Sequence, residues 1–421
     1  MYKIYFKQAI QMLKQNKFIS IISILGTALA IMMIMALIVT DEVKTANAAP
    51  EINRDRTLYI AYQVKRDTTP GKNSWQSGQL EYDIMQKYLL TLQTPEYVSY
   101  MNEYDPEGLS TVNKEGSNNY QLVSLRTVDA AFWKIYSFDF VDGSAFSKEE
   151  SDAGIHNAVI SESTARNIFK DEKAVGKTIQ IGFEDYKVTG VVKDVSSVFK
   201  SAAGDVWIPY NSLKNKANGY VVIMAKSKED LPKIIAEVRD AEKKWGANHH
   251  PWFLYLKGPE NQEVHSKSIG GNNEEEFRNG IKIENRKMVL IFILLLLIPA
   301  LNLSGFSLSR IKKRTAEIGI RKAFGAKKYV ILIQVLYENM ITSLIGGVIG
   351  LLFSYIVIFW LREWLLEIPD GSSIPVTSLI SLSIFIVVFI VCLLLNLLSA
   401  GISAFRASRM TIVDSLNQND K

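Results

Sequence analysis

Cysteine is nearly missing from this chain: Cys392 is the only one in 421 residues, and it lies inside an apolar run. One thiol excludes an intrachain disulfide framework and any cysteine-based metal site. Histidine is scarce too, with His156, His249, His250 and His265 the only four. None has the spacing of HExxH, and the His249–His250 pair reads as a solvated loop rather than a zinc site. No phosphate-binding loop stands up either. Gly176-Lys177-Thr178 has the right ending, but the first glycine of GxxxxGK[ST] would fall at Asp171. Leu303-Ser304-Gly305 is followed by Phe306 at the end of an apolar run, so it is a chance match to a nucleotide signature. Acids and serines in the middle of the chain are abundant but unclustered. The expectation is a chain that is not an enzyme by itself, with no catalytic residues, no metal and no bound cofactor.

Long apolar runs are missing from Asp41 to about Lys287, yet they dominate both flanks. Phe18–Val39, Met288–Leu308, Val330–Leu361 and about Val376–Ile402 are each long enough to cross roughly 30 Å of hydrocarbon as a helix. The first run exceeds the 7–15 residues usual for a signal-peptide core and reads as a retained anchor. Acid is missing at the start, where residues 1–17 carry Lys3, Lys7, Lys14 and Lys17. Residues 1–17, 310–328 and 405–421 together hold fifteen bases and three acids, a net +12 in a chain of net +5. Everything else therefore sums to −7. This is the positive-inside pattern of a membrane protein with both termini in the cytoplasm, not a nucleic-acid footprint. The expected order is a cytoplasmic start (1–17), a first span (18–40), an outer domain (41–287) and a second span (288–309). A cytoplasmic connector (310–329), a third span with an interfacial start (330–361), a short outer loop (362–375), a fourth span (376–404) and a cytoplasmic tail (405–421) follow.

The outer segment is patterned as mixed α and β. Arg56–Lys65, Gly219–Lys226 and Pro251–Leu256 read as strands, Glu81–Leu92 and Lys228–Trp245 as amphipathic helices. That order suggests a porter-like, ferredoxin-like lobe interrupted by a second lobe at about residues 115–215. In the insertion, Ser161 or Ser163 caps a helix reaching Phe169, and Thr178–Ile181 with Tyr186–Lys193 reads as a hairpin. Trp133, Trp207 and Trp252 read as core residues.

The connector reads RIKKRTAEIGIRKAFGAKKYVILIQVLYENM from Arg310 to Met340, with eight bases before Tyr329 against the single acid Glu317. Lys313, Glu317 and Arg321 are spaced i, i+4, and Ile320 with Phe324 forms an apolar pair on a neighbouring face. Pattern alone leaves two readings open: a basic amphipathic helix on anionic lipid, or a docking helix for a soluble partner. In the third run, Ser343-xxx-Gly347 and Gly346-xxx-Gly350 are small-residue pairs that permit close helix approach, within one subunit or across a dimer seam.

The wording of the connector resembles the cytoplasmic signature of the FtsX/MacB-type ABC transporter permeases, the type VII or mechanotransmission class. Glu317, Gly319, Arg321, Lys322, Ala323, Gly325, Ala326 and Glu338 match that signature in order. FDFVDGSAFS (138–147), AVISESTARNIF (158–169) and AVGKTIQIGFEDYKVTGVVKDV (174–195) resemble the MacB-type extracytoplasmic domain. The tail FRASRMTIVDSLN resembles the closing pattern of the family, except that Ile412 stands where a proline is usual. The resemblance implies four transmembrane helices plus an α+β extracytoplasmic domain in the cell inner membrane. It implies that Glu317, Gly319, Ile320, Arg321, Lys322, Ala323, Phe324, Gly325 and Ala326 contact a separate ABC ATPase, which would hold the ATP and magnesium. A second permease copy, identical or similar, completes the expected assembly, with a periplasmic adaptor and an outer-membrane duct as further candidate partners. Export of antibiotics, peptides or toxins is the first functional expectation. A lipoprotein-releasing permease is the alternative. A force transmitter that activates a cell-wall hydrolase is a third class, disfavoured by the large outer domain.

Overall fold

A computed structural model describes residues 10–11, 13–15, 17–72, 74–103, 110–117, 119–214, 216, 218–313, 320, 323–325, 327–366 and 382–409. The chain divides into a helical unit (Met1–Asp41, Arg286–Leu365, Val376–Lys421) and an α+β unit (Glu42–Asn285, Leu366–Pro375).

Four long helices belong wholly or partly to the helical unit: α1 (Lys17–Thr45), α2 (Glu274–Lys313), α3 (Lys328–Trp360) and α4 (Leu382–Arg409). By length and composition α1 and α3 are apolar enough to cross a membrane. Both expose apolar stripes and bury polar as well as apolar residues. On α1 the exposed stripe is Ile21, Leu25, Leu29 and Met33, whereas Ser20, Ser23 and Thr27 are buried. On α3, Leu344, Val348, Leu352 and Phe359 face outward while Gln334, Asn339, Thr342, Ser343 and Ser354 face in. Several buried polar groups bond back to their own helix: Thr27 to the Ser23 carbonyl, Asn339 to that of Val335 and Thr342 to that of Glu338. Apolar residues such as Ile31, Met35 and Val39 on α1 and Ile331, Val335 and Ile341 on α3 are buried beside these polar ones, and an apolar exposed stripe with polar groups turned inward is what a hydrocarbon solvent selects.

The α+β unit is built on a 12-stranded mixed sheet. Its hydrogen-bonded path runs Glu260–Asn261, Thr57–Ile60, Tyr220–Met224, Tyr97–Glu103, Leu125–Val128, Val206–Pro209, Asn157–Ser161, Glu184–Val192, Thr178–Ile181, Ser110–Lys114 and Gln121–Val123, with Phe140–Gly143 pairing Glu184–Val192 off the path. Residues 115–215, expected as an inserted lobe, thus contribute strands to the same ladder as the rest. Two hydrophobic clusters lie along it. Ile60, Leu80, Tyr100, Val221, Ile234 and Trp245 belong to one, and Val112, Ile160, Phe169, Ile179, Tyr186 and Ile208 to the other. Trp207 is fully buried, in edge contact with Trp133 and Phe138.

A second sheet has three strands, in the order Trp252–Lys257, Tyr62–Asp67, Trp75–Gln79. The single strand expected over Arg56–Lys65 therefore breaks at Ala61, and its halves join different sheets. Thr57–Ile60 is buried on both faces, whereas Tyr62–Asp67 is buried on one. An unbroken run of β-formers carries no signal for such a switch. The Glu81–Leu92 helix is a short α-turn (Tyr82–Ile84) that passes into a π-turn (Met85–Leu89), closed by Leu90 N–H donating to the Met85 carbonyl at 3.0 Å. The helix Leu231–Asn248 buries Ile234, Val238, Ala241 and Trp245, the spacing of one helical face. Ser161, not Ser163, caps the helix Glu162–Phe169, accepting from Thr164 N–H.

The hairpin Thr178–Ile181 to Glu184–Val192 turns on two residues, Gly182 (φ +55°) and Phe183 (φ +69°). Phe183 is 89% exposed, so nothing among the described residues offsets its left-handed backbone. Phe183→Gly should therefore raise the stability of this unit by about 0.5–1 kcal/mol, read as a higher thermal midpoint. A lower midpoint would mean that the ring makes contacts worth more than the strain.

Candidate functional site

Three places among the described residues bear on the expected sites. The first is the connector between α2 and α3. Glu317, Gly319, Arg321, Lys322 and Ala326 lie outside the described residues. Ile320 and Ala323 are helical and exposed, and Phe324 N–H donates to the Ile320 carbonyl at 3.1 Å, which closes the turn. Gly325 then takes φ +86°, the left-handed conformation that ends a helix with glycine at lowest cost. Lys327 is extended and α3 begins at Lys328. The turn leaves the Phe324 ring 89% exposed within a strongly basic segment.

The second place is the seam along α3. Ser343, Gly346, Gly347 and Gly350 are all buried there. A Cβ on Gly346 would lie 2.8 Å from Thr27 Cβ, and one on Gly350 would lie 2.9 Å from the Ala28 carbonyl oxygen, both on α1. A Cβ on Gly347 would run into the Phe389 ring of α4. The glycines thus admit α1 and α4 of their own chain to close backbone contact. Gly346→Leu should overpack this seam, costing about 1–3 kcal/mol and lowering the melting temperature of the purified full chain. An unchanged melt accompanied by loss of self-association would instead assign these glycines to a seam between subunits.

The third place was not flagged in the sequence: two arginine networks in the α+β unit that hold the ends of α1 and α2. The last carbonyls of a helix have no partner within it. At α1 these are taken by side chains. Arg54 Nη1 donates to the Val43 carbonyl at 2.8 Å and to that of Ala46 at 2.9 Å, and Gln262 Nε2 donates to the Lys44 carbonyl at 2.7 Å. Arg54 Nε pairs with Glu51 at 2.7 Å, with both side chains buried, and its guanidinium lies 4.6 Å from the centre of the Phe199 ring. Glu51 also accepts from Ala202 N–H at 3.0 Å, tying the helix end to a segment 151 residues away in sequence. A cation at a helix C-terminus also meets the negative end of the helix dipole.

At the start of α2 the polarity is opposite, and so is the chemistry. Asn273 Oδ1 accepts from Glu276 N–H at 2.9 Å, capping the helix, and Glu276 reaches back to Asn272 N–H at 2.9 Å. Glu274 accepts from Arg239 at 2.9 Å, from Arg278 at 2.7 Å and from the Tyr255 hydroxyl at 3.2 Å. Arg239 in turn binds Glu242 at 2.6 Å and the Leu256 and Gly258 carbonyls. Burial pushes the Glu242 carboxyl above the usual carboxylate range, with Arg239 beside it acting in the opposite direction. Each network joins residues far apart in sequence, so spacing arguments could not have found it. The only local hints were charged pairs at helical spacing, Glu51 with Arg54 in one network and Arg239 with Glu242 and Glu274 with Arg278 in the other.

A family model described as a MacB-like periplasmic core domain matches residues 20–241, and one described as an FtsX-like permease C-terminal matches residues 289–412. Curated relatives include the macrolide export ATP-binding/permease protein MacB of Campylobacter jejuni (26% identical over 372 residues, covering 84% of this chain and 53% of the relative). The MacB proteins of Escherichia coli K12 (23% over 410 residues, 96% and 59%) and Chromobacterium violaceum (23% over 379 residues, 89% and 55%) are similar as well. The chain thus spans a little over half the length of these relatives. Among solved structures, the extracellular domain of the noncanonic ABC-type transporter YknZ from Gram-positive bacteria is 15% identical, with a TM-score of 0.36 over 47% of this chain and 99% of that one. The periplasmic region of MacB from Actinobacillus actinomycetemcomitans is 13% identical, with a TM-score of 0.35 over 51% and 94%.

Proposed function

Because the chain belongs to the FtsX/MacB-type family of ABC transporter permeases, uniting a MacB-like periplasmic core domain with an FtsX-like C-terminal domain, we propose that it couples ATP hydrolysis in a separate cytoplasmic ATPase to movement of its α+β unit outside the membrane. The observation that carries this reading is the exposed Phe324 ring, held out by the left-handed Gly325 in a basic segment between two apolar helices. An apolar knob on a charged surface suits a groove in a protein partner better than water or lipid headgroups. In this mechanism the segment Glu317–Ala326 receives the push of ATPase closure. The helices carry it, and the Arg54 and Arg239 networks keep the helix ends from slipping within the α+β unit. Four spans, both termini inside and a second permease copy complete the proposed assembly. The work is done on a substrate outside the membrane, with export of antibiotics, peptides or toxins as the proposed task; the names of the relatives, which pair ATP-binding with permease and specify macrolide export, support this choice.

Topology gives the direct test. In a Cys392→Ser background, cysteines at Lys14 and Lys313 should be shielded from an impermeant thiol reagent in intact cells, and cysteines at Lys148 and Lys243 should react. Labelling at Lys313 in intact cells would put the connector outside and end the coupling proposal.

A further inference from the structure

The three-stranded sheet has a face that the core does not use. Leu254 and Leu256 point into the hydrophobic core, so by strand alternation Phe253 and Tyr255 point the other way. The register aligns Phe253, Arg66 and Trp75 across the three strands, with Tyr255, Val64 and Ser77 as the next row. Trp75 is 54% exposed and Phe253 49% exposed. Above them lies a groove of about 600 Å³, walled on one side by Asn272–Glu276 at the start of α2. This is the size range of sites for drug-sized ligands. Its opposite side runs to the strand Trp75–Gln79, which among the described residues pairs only with Tyr62–Asp67 and so leaves an edge open.

The charges in the groove are divided between spent and unspent. Glu274 is held by Arg239, Arg278 and Tyr255, and Glu276 is used in capping α2. Glu275 and Arg66, by contrast, have no ion-pair or hydrogen-bond partner among the described residues, and both are exposed. The surface thus offers two aromatic rings, one free carboxylate on the wall and one free guanidinium on the floor.

We infer that this groove binds a short, extended amphipathic peptide. An apolar side chain rests on Trp75 and Phe253, a basic group pairs with Glu275, and a carboxylate pairs with Arg66. A phospholipid would satisfy both charges, but beyond the two rings the wall of asparagines and glutamates leaves its long acyl chains little apolar surface. A compact hydrophobic cation would leave Arg66 unpaired. The open strand edge adds main-chain donors and acceptors that suit a peptide. The inference rests on the proposal that this unit handles the exported substrate, and it names the site and the chemistry of that substrate.

The test uses the full chain in nanodiscs, without nucleotide or ATPase, and the fluorescein-labelled tetrapeptide Lys-Phe-Leu-Glu followed by anisotropy. Saturable binding is expected, weakened at least about tenfold by Trp75→Ala and by Glu275→Lys, a loss of about 1.4 kcal/mol. Trp75→Phe should retain most of the affinity. Glu275→Lys should regain binding when the peptide is Glu-Phe-Leu-Glu, an outcome that a misfolded variant could not produce. No saturable binding up to roughly 1 mM, or equal affinity in all variants, would overturn the inference. So would displacement of the peptide by tetraphenylphosphonium with an affinity indifferent to Arg66→Ala, which would mark a small-cation site. Failure here with ATPase co-purification intact would remove the groove and leave the permease proposal standing. Loss of ATPase docking through Phe324 would leave peptide binding unchanged.

Discussion

Arg54→Met should destabilise the α+β unit by about 3–5 kcal/mol, the largest stability loss expected from any single substitution considered for this chain. The guanidinium is buried, it caps α1 through two carbonyls, and it neutralises the buried Glu51 carboxylate. Methionine would preserve much of the side-chain volume and the contact with Phe199, so the loss would isolate the polar network. It would strand the Glu51 charge without its cation and leave the Val43 and Ala46 carbonyls unpaired. Thermal unfolding of the full chain, followed by tryptophan fluorescence of the α+β unit, is the measurement. A companion Glu51→Gln change should recover part of the loss, because it removes the stranded charge. A single Arg54→Met variant within about 0.5 kcal/mol of the parent would mean that the network does not hold the helix end. If the variant folds, the coupling proposal further expects ATP hydrolysis that no longer moves substrate, since α1 would turn without turning what it is fixed to.

The second large effect is expected at the connector. Phe324→Asp should leave expression and membrane insertion intact, reduce co-purification of the ATPase at least about tenfold and abolish substrate-linked activity, because a charge would be buried unpaired in the partner groove. Gly325→Val should behave similarly for a different reason. No atom of the described residues crowds that position, but φ +86° is strained for a β-branched residue, so the turn that presents Phe324 would have to reorganise. Replacing Lys327 and Lys328 together by alanine should be much milder, about 1 kcal/mol of lost surface attraction per base. The reverse ranking, with the lysine pair disabling and Phe324→Asp binding ATPase fully, would identify the segment as a lipid-adhering helix.

The amino-acid order alone carried the apolar flanks, the basic connector and the α+β character of the middle. Each depends on local composition or short-range periodicity, which survive without knowledge of the fold. The glycine at 325 was legible as part of a short, continuous motif, and its left-handed turn emerged only in the structure. Sequence left the role of Gly346 and Gly350 open between two kinds of seam, since spacing shows that a helix can be approached but not by what. Within one chain, the structure brings Thr27 and Ala28, some 320 residues earlier, against them. The strand break at Ala61 escaped notice because both halves are rich in β-formers, and the partner strands decide which sheet each half joins.

The same division separates the membrane character from the joints. Hydropathy and the placement of lysines and arginines determined by themselves that this chain has apolar segments around a polar domain, because transfer from water to hydrocarbon is additive over neighbouring residues. Only the tertiary structure decided that Arg54 closes the end of α1 and that Arg239 and Glu274 hold the start of α2. Those bonds depend on carbonyls, rings and carboxylates brought together from positions up to 218 residues apart, and directional contacts of that kind exist only once the chain has folded.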